Sequence, residues 1–192
     1  MAGGEGFGPR LAAAGFEVLR FAPPAAEGGA AGRRAAWQAA VAVARAMPQV
    51  RRIVLWGADR AGGDVLRVAA EDGDIAAVIS LTPAVDGLAS LLHALRGAGA
   101  SAVARAPGRL RTALRTAADR PIRHASALRC PVLVQVADED SIAPVGAAMR
   151  AAWKARADVR HYPCDHGDVG PGAEWFEHVL GHQLAFLRLR LA

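Results

Sequence analysis

The sequence predicts an α/β protein: a three-layer sandwich with a mostly parallel sheet of about five strands and a small helical cap. Three observations predict it. Short, continuously apolar runs such as Ile75 to Leu81 are the pattern of strands buried on both faces, which belong to parallel sheets covered by helices. These runs alternate with segments of helical period, and a strand, helix, strand, helix order closes through right-handed crossovers. Hydrophobic residues make up 53% of the 192 and mean hydropathy is +0.18, too apolar for a disordered chain. The length suits one domain over 1–192, at about 150 residues per domain.

Each element has its own signal. A short helix ends at Gly15, a glycine cap, and Phe16 to Phe21 then reads as a strand. After a loop rich in proline and glycine, the spacing of Trp37, Ala40, Val41, Ala44 and Met47 gives one face of a helix from about Arg33 to Met47, stopped by Pro48. Arg52 to Trp56 is the next strand. The run GADRAGGDVLRVAAED turns from strand to helix with Gly57, Gly62 and Gly63 at the bend, and Ile75 to Leu81 is again a strand. Residues 83–127, rich in alanine and arginine and broken at Pro107 and Gly108, form a helical insert. The alternation resumes with a strand at Pro131 to Ala137, a helix at Val145 to Ala157, a short strand at Val159 to Tyr162 and a final helix at Glu174 to Leu191.

Composition narrows the function. The formal net charge is +5 and the isoelectric point is near 10.4. Lys154 is the only lysine, so 22 of the 23 basic residues are arginine, the bias a GC-rich genome imposes rather than the mark of a basic binding face. Neither nucleic acid nor membrane is expected as a partner. No apolar stretch reaches the 18 or so residues of a membrane span, and MAGGEGFGPR lacks the pattern of a secretory signal, so a cytoplasmic location is expected. Cys130 and Cys164 make neither a zinc pattern nor a disulfide framework and read as packing thiols. His178 and His182 stand four apart without a third ligand. The glycines of the bend make no phosphate loop. No metal and no cofactor are expected.

In open parallel sheets the working residues sit in loops at the carboxyl ends of strands. Three such loops carry candidates. In W-G-A-D-R-A-G-G, residues 56–63, small residues flank Asp59 at a strand-to-helix turn, the shape of a nucleophile elbow. In A-D-E-D-S-I-A-P, residues 137–144, Asp140 precedes a helix. In C-D-H-G-D, residues 164–168, His166 follows the last short strand. Each has a plainer reading as well: Asp140 as a carboxylate favoured by a helix N-terminus, His166 as a solvent-exposed loop histidine, and Arg60 as an ion-pair partner of Asp59 or Asp64.

The order and context of R-I-V-L-W-G-A-D-R-A-G-G-D-V-L, C-P-V-L-V-Q-V-A-D-E-D-S-I-A-P and Q-L-A-F-L resemble the α/β-hydrolase family, and its bacterial serine-hydrolase branch in particular, over essentially the whole chain. The resemblance implies a hydrolase of ester or amide bonds acting on a small molecule, with nucleophile, acid and base at Asp59, Asp140 and His166. It implies oxyanion-hole amides at Arg60 and at Ala2. It also implies further strands before the glycine-rich start, which places Met1 within the oxyanion loop of a truncated chain and leaves a sheet edge open to a homodimer. The serine of the elbow is replaced by Asp59. Two outcomes follow: a remnant triad whose hydrolase activity is impaired or lost, or a working aspartate nucleophile of the dehalogenase or epoxide-hydrolase type. Binding of a small ligand or partner chain without catalysis is the third class.

Overall fold

The structure is a computed structural model and describes residues 6–21, 29–98 and 116–191. Its helices and strands are α1 (Phe7–Ala13), α2 (Gly29–Arg45), β1 (Ile53–Ala58), α3 (Asp59–Glu71), β2 (Ile75–Leu81), α4 (Gly87–Ala98), β3 (Val132–Ala137), α5 (Val145–Ala155), β4 (Asp158–Tyr162) and α6 (Phe176–Leu191), with one-turn helices at Pro121–Arg123, Ala125–Ala127 and His166–Val169. All four strands are parallel and lie in the order β1-β2-β3-β4. Leu55 stands beside Val78, Val78 beside Val132, and Val134 beside Val159. No helix among the described residues is long and apolar enough to cross a membrane.

Successive side chains leave a strand on opposite faces, and both faces of this sheet are covered. On one, Leu55, Val78, Val132 and Val134 pack with Trp37 and Val41 of α2, Val65 and Leu66 of α3, and the alanines of α5. On the other, Ala77, Ile79, Leu81 and Leu133 meet Phe7 and Leu11 of α1 and Val179, Leu180 and Phe186 of α6. This is the expected three-layer sandwich, and it explains why β2 and β3 are buried along nearly their whole length and mostly apolar.

The sheet has four strands, not five. Phe16 to Phe21 lies outside any strand: only its aromatic ends reach the core, Phe16 on the side of α1 and Phe21 edge-on to Trp37, while Val18 and Leu19 are exposed. Strand propensity needs a partner ladder and a half-buried face to be realised, and this segment has neither. β1 is consequently an edge among the described strands. Other boundaries move by a few residues: α2 begins four residues before Arg33, the expected strand at Arg52 to Trp56 runs on to Ala58, and α6 begins at Phe176. Of the helical insert, α4 and the short turns from Pro121 are described, whereas 99–115 lies outside the described residues, as does Ala2.

Polar pairs fasten the layers. Arg33 of α2 reaches across to Asp64 of α3, Nε to Oδ2 at 2.7 Å and Nη2 to Oδ1 at 3.2 Å, and both Arg33 and Arg67 bond Asp119. Asp64 therefore pairs with Arg33 and not with Arg60. Beneath the sheet, Trp56 Nε1 donates to Gln183 Oε1 (3.0 Å), Gln183 Nε2 to Gln135 Oε1 (2.7 Å) and Gln135 Nε2 to the Tyr162 hydroxyl (2.6 Å), which lies 2.9 Å from His182 Nδ1.

Candidate active site

β1 ends at Ala58, and α3 begins at the very next residue. A strand turning into a helix with no linker needs an unusual backbone angle, and Asp59 supplies it at φ +53°, in a region uncommon for residues other than glycine and better tolerated by aspartate than by most. Gly57 makes the bend possible: a Cβ there would sit 2.4 Å from the Ala61 carbonyl oxygen. Gly63 lets α3 approach the chain after β2, since its Cβ would sit 2.4 Å from the carbonyl oxygen of Ala84. The elbow is thus built as expected and lifts the Asp59 carboxylate clear of the sheet, 58% exposed.

Asp140 lies in the turn between β3 and α5. Its Oδ1 accepts from the amides of Ile142 (2.8 Å) and Ala143 (2.6 Å), which leaves Oδ2 directed at His166. Those amides precede α5, which starts only at Val145, so the carboxylate serves the turn and the histidine rather than the helix terminus. His166 opens a single helical turn capped by Asp165. Asp165 also accepts from Ser141, from N at 2.8 Å and Oγ at 3.0 Å, tying the acid loop to the histidine loop.

The three loops converge. His166 Nδ1 is 2.8 Å from Asp140 Oδ2, and His166 Nε2 is 2.5 Å from Asp59 Oδ1. The imidazole is 14% exposed, which corrects its reading as a solvent-exposed loop histidine. Burial alone would lower its pKa, but the hydrogen bond and charge of Asp140, joined by those of Asp59, outweigh it and hold the pKa above the ordinary value. Ionised carboxylates only accept hydrogen bonds, and an imidazole with an acceptor at each nitrogen is satisfied in its protonated form. Each imidazole nitrogen therefore faces a carboxylate oxygen, an arrangement that favours the protonated ring.

Arg60 is exposed and pairs with neither Asp59 nor Asp64; its amide is in the first turn of α3, where backbone donors lack partners within the helix. The neighbouring Cys164 offers no substitute nucleophile, because burial and then the surrounding carboxylates push its thiol up to about 11. Among the described residues no group of three or more His, Cys, Asp and Glu side chains is arranged to hold a metal ion. The sequence did not point to Thr82, whose Oγ1 donates to Asp59 Oδ1 at 3.4 Å. Its position after β2 and before a proline gave no signal of such a contact.

No family model matches the chain. The quorum-quenching protein AidA of Acinetobacter baumannii is similar, 29% identical over 204 aligned positions that cover 79% of this chain and 67% of that protein. A Pyrococcus furiosus esterase superposes with a TM-score of 0.76 at 13% identity, covering 95% of this chain and 73% of its own. The acylaminoacyl peptidase of Pyrococcus horikoshii does so with a TM-score of 0.66 at 15% identity, over 85% of this chain and 28% of the peptidase. The chain has the α/β-hydrolase fold.

Proposed function

We propose that this chain has the plan of an ester- or amide-bond hydrolase of the α/β-hydrolase fold, with its serine-type acyl transfer impaired or lost through Asp59. The observation that carries the reading is His166 held between two carboxylates. Acyl transfer by a serine needs a neutral imidazole whose Nε2 accepts the hydroxyl proton; here Nε2 faces Asp59 Oδ1 at 2.5 Å and is occupied as a donor. A carboxylate attacking an ester carbonyl yields an acid anhydride, less stable than the ester it replaces. The likeness to an esterase and a peptidase supports the substrate class, a small molecule carrying an ester or amide.

The test is turnover of simple aryl esters. The unaltered chain is expected to show none above background, since loss of a triad nucleophile costs about a million-fold. Asp59→Ser is expected to gain hydrolysis, and adding His166→Ala to abolish it. Ester turnover by the unaltered chain that survives His166→Ala would refute the reading.

One observation favours a second reading. Oδ1 of Asp59 is engaged by His166 and Thr82, while Oδ2 has no hydrogen bond among the described residues. That oxygen is free to attack a saturated carbon: an O–C bond forms while a halide leaves to solvent, or while an epoxide C–O bond breaks and its oxygen takes the Nε2 proton of His166, and Asp59 becomes an uncharged ester. With that charge gone, His166 is less strongly held as a cation and becomes available to activate water. Turnover of haloalkanes or epoxides, lost in Asp59→Asn, would select this reading.

A further inference from the structure

Thr82 is the first residue after β2 and has φ +40°. Two features of the sequence oppose that conformation. A β-branched residue at positive φ is a steric outlier, and the residue before a proline, here Pro83, is driven toward extended backbone. Strain of this kind persists only where the surroundings over-determine it. The surroundings here are the active site. Thr82 N donates to Gln135 O at 2.8 Å, and Ala84 N donates to Asp59 O at 2.9 Å, so the strained residue is clamped between β3 and the elbow. Thr82 is 3% exposed, and Asp59 Oδ1 is the partner of its hydroxyl. The two left-handed residues at the ends of β1 and β2 thus face each other across that contact.

We propose that Thr82 is a positioning residue for the Asp59 carboxylate: its hydroxyl, presented by the left-handed backbone, holds Oδ1 toward His166 and leaves Oδ2 as the free oxygen. This rests on the reading that Asp59 stands in the nucleophile's place and pairs with His166. It adds the group that decides which carboxylate oxygen does so. Threonine suits the task because it is buried with its hydroxyl on the elbow carboxylate. Serine keeps the donor, and valine keeps the shape without it.

The experiment is a proton and nitrogen NMR titration of His166 in the full chain and in Thr82→Ser, Thr82→Val and Asp59→Asn. Asp59→Asn is expected to lower the His166 midpoint, and Thr82→Val to lower it by about half a pH unit or more, with loss of the downfield Nε2 proton signal. Thr82→Ser is expected to match the unaltered chain, and Thr82→Val added to Asp59→Asn to change nothing further. A midpoint that falls in Asp59→Asn but not in Thr82→Val overturns the role of Thr82 alone. A midpoint unmoved by Asp59→Asn overturns the His166–Asp59 pairing and Thr82's role with it. Urea unfolding supplies an arm independent of the titration: Thr82→Gly is expected to unfold at higher urea than Thr82→Ala, because glycine adopts positive φ freely. Equal midpoints for those two would overturn the strained-backbone premise.

Discussion

Replacing Arg33 by methionine tests how α2 is held to the rest of the molecule. Asp64 is 3% exposed at its side chain, and its hydrogen-bond partner is Arg33, through two contacts. Asp119 is differently placed, because Arg67 would still bond it. Arg33→Met therefore strands one buried carboxylate, not two. Removing one partner of a buried pair costs about 3 to 5 kcal/mol, and methionine recovers only part of the lost packing of the arginine stem. Against a total stability of about 5 to 15 kcal/mol, that is a large fraction, and it should appear as a lower urea midpoint at unchanged slope. The double variant Arg33→Met, Asp64→Leu is expected to regain most of the loss, since an apolar pair of similar volume is often neutral or better. A single variant within about 1 kcal/mol of the parent, or a double variant no better than the single, would refute the view that desolvated charge rather than surface attraction governs this contact.

Two further outcomes follow from the site and the elbow. Folded-state pKa values of Asp86 and Asp119 are depressed: burial raises them, but the arginines facing them, and for Asp86 two helix amides, more than reverse it. Their contribution is present above the unfolded carboxylate value of about 4 and is lost as pH falls through the lower folded values. His166 is shifted upward, so its contribution is complete below about 6.5 and is lost as pH rises through its folded value. These three groups together favour the fold most between roughly pH 4 and 6.5, opposed there by His182, whose pKa burial and then Arg160 and His178 depress, and the fall in melting temperature above that window should shrink in Asp59→Asn. Gly57→Ala places a methyl 2.4 Å from the Ala61 carbonyl oxygen; the backbone must shift, costing about 1 to 3 kcal/mol by urea unfolding. A cost near zero would mean the elbow is not tightly wound.

The sequence shows the layers clearly and the strained joints poorly. Ile75 to Leu81 matches β2 residue for residue because a strand buried on both faces leaves a run that is apolar but for Ser80. The convergence of Asp59, Asp140 and His166 is readable because loops after parallel strands bring side chains to one end of the sheet, while the roles assigned to them come from the resemblance. Phe16 to Phe21 misled because composition speaks to strand propensity and says nothing of whether a neighbour is there to pair with. Thr82 was invisible for the opposite reason: a β-branched residue before proline argues for extended backbone, and tertiary contacts overrule it. The pairing of Asp64 with Arg33, 31 positions earlier, depended on how α2 crosses α3, which no local pattern encodes; a lone carboxylate in the apolar run GGDVLRV was the available hint.

The amide chain under the sheet bears on how the last helix is seated. The segment FEHVLGHQLAFLRLRL of α6 carries apolar residues on nearly every side, and Leu189 is left 71% exposed. Greasiness alone therefore defines no unique azimuth, and a turn of the helix about its axis, or a slide by one position, would bury comparable carbon. Gln183 removes that degeneracy. Its oxygen meets Trp56 and its nitrogen meets Gln135, and turning it away would leave the Trp56 indole and the Gln135 carbonyl oxygen without these partners. The helix is keyed like a shaft in a slot, and the key fits Trp56, three residues before Asp59.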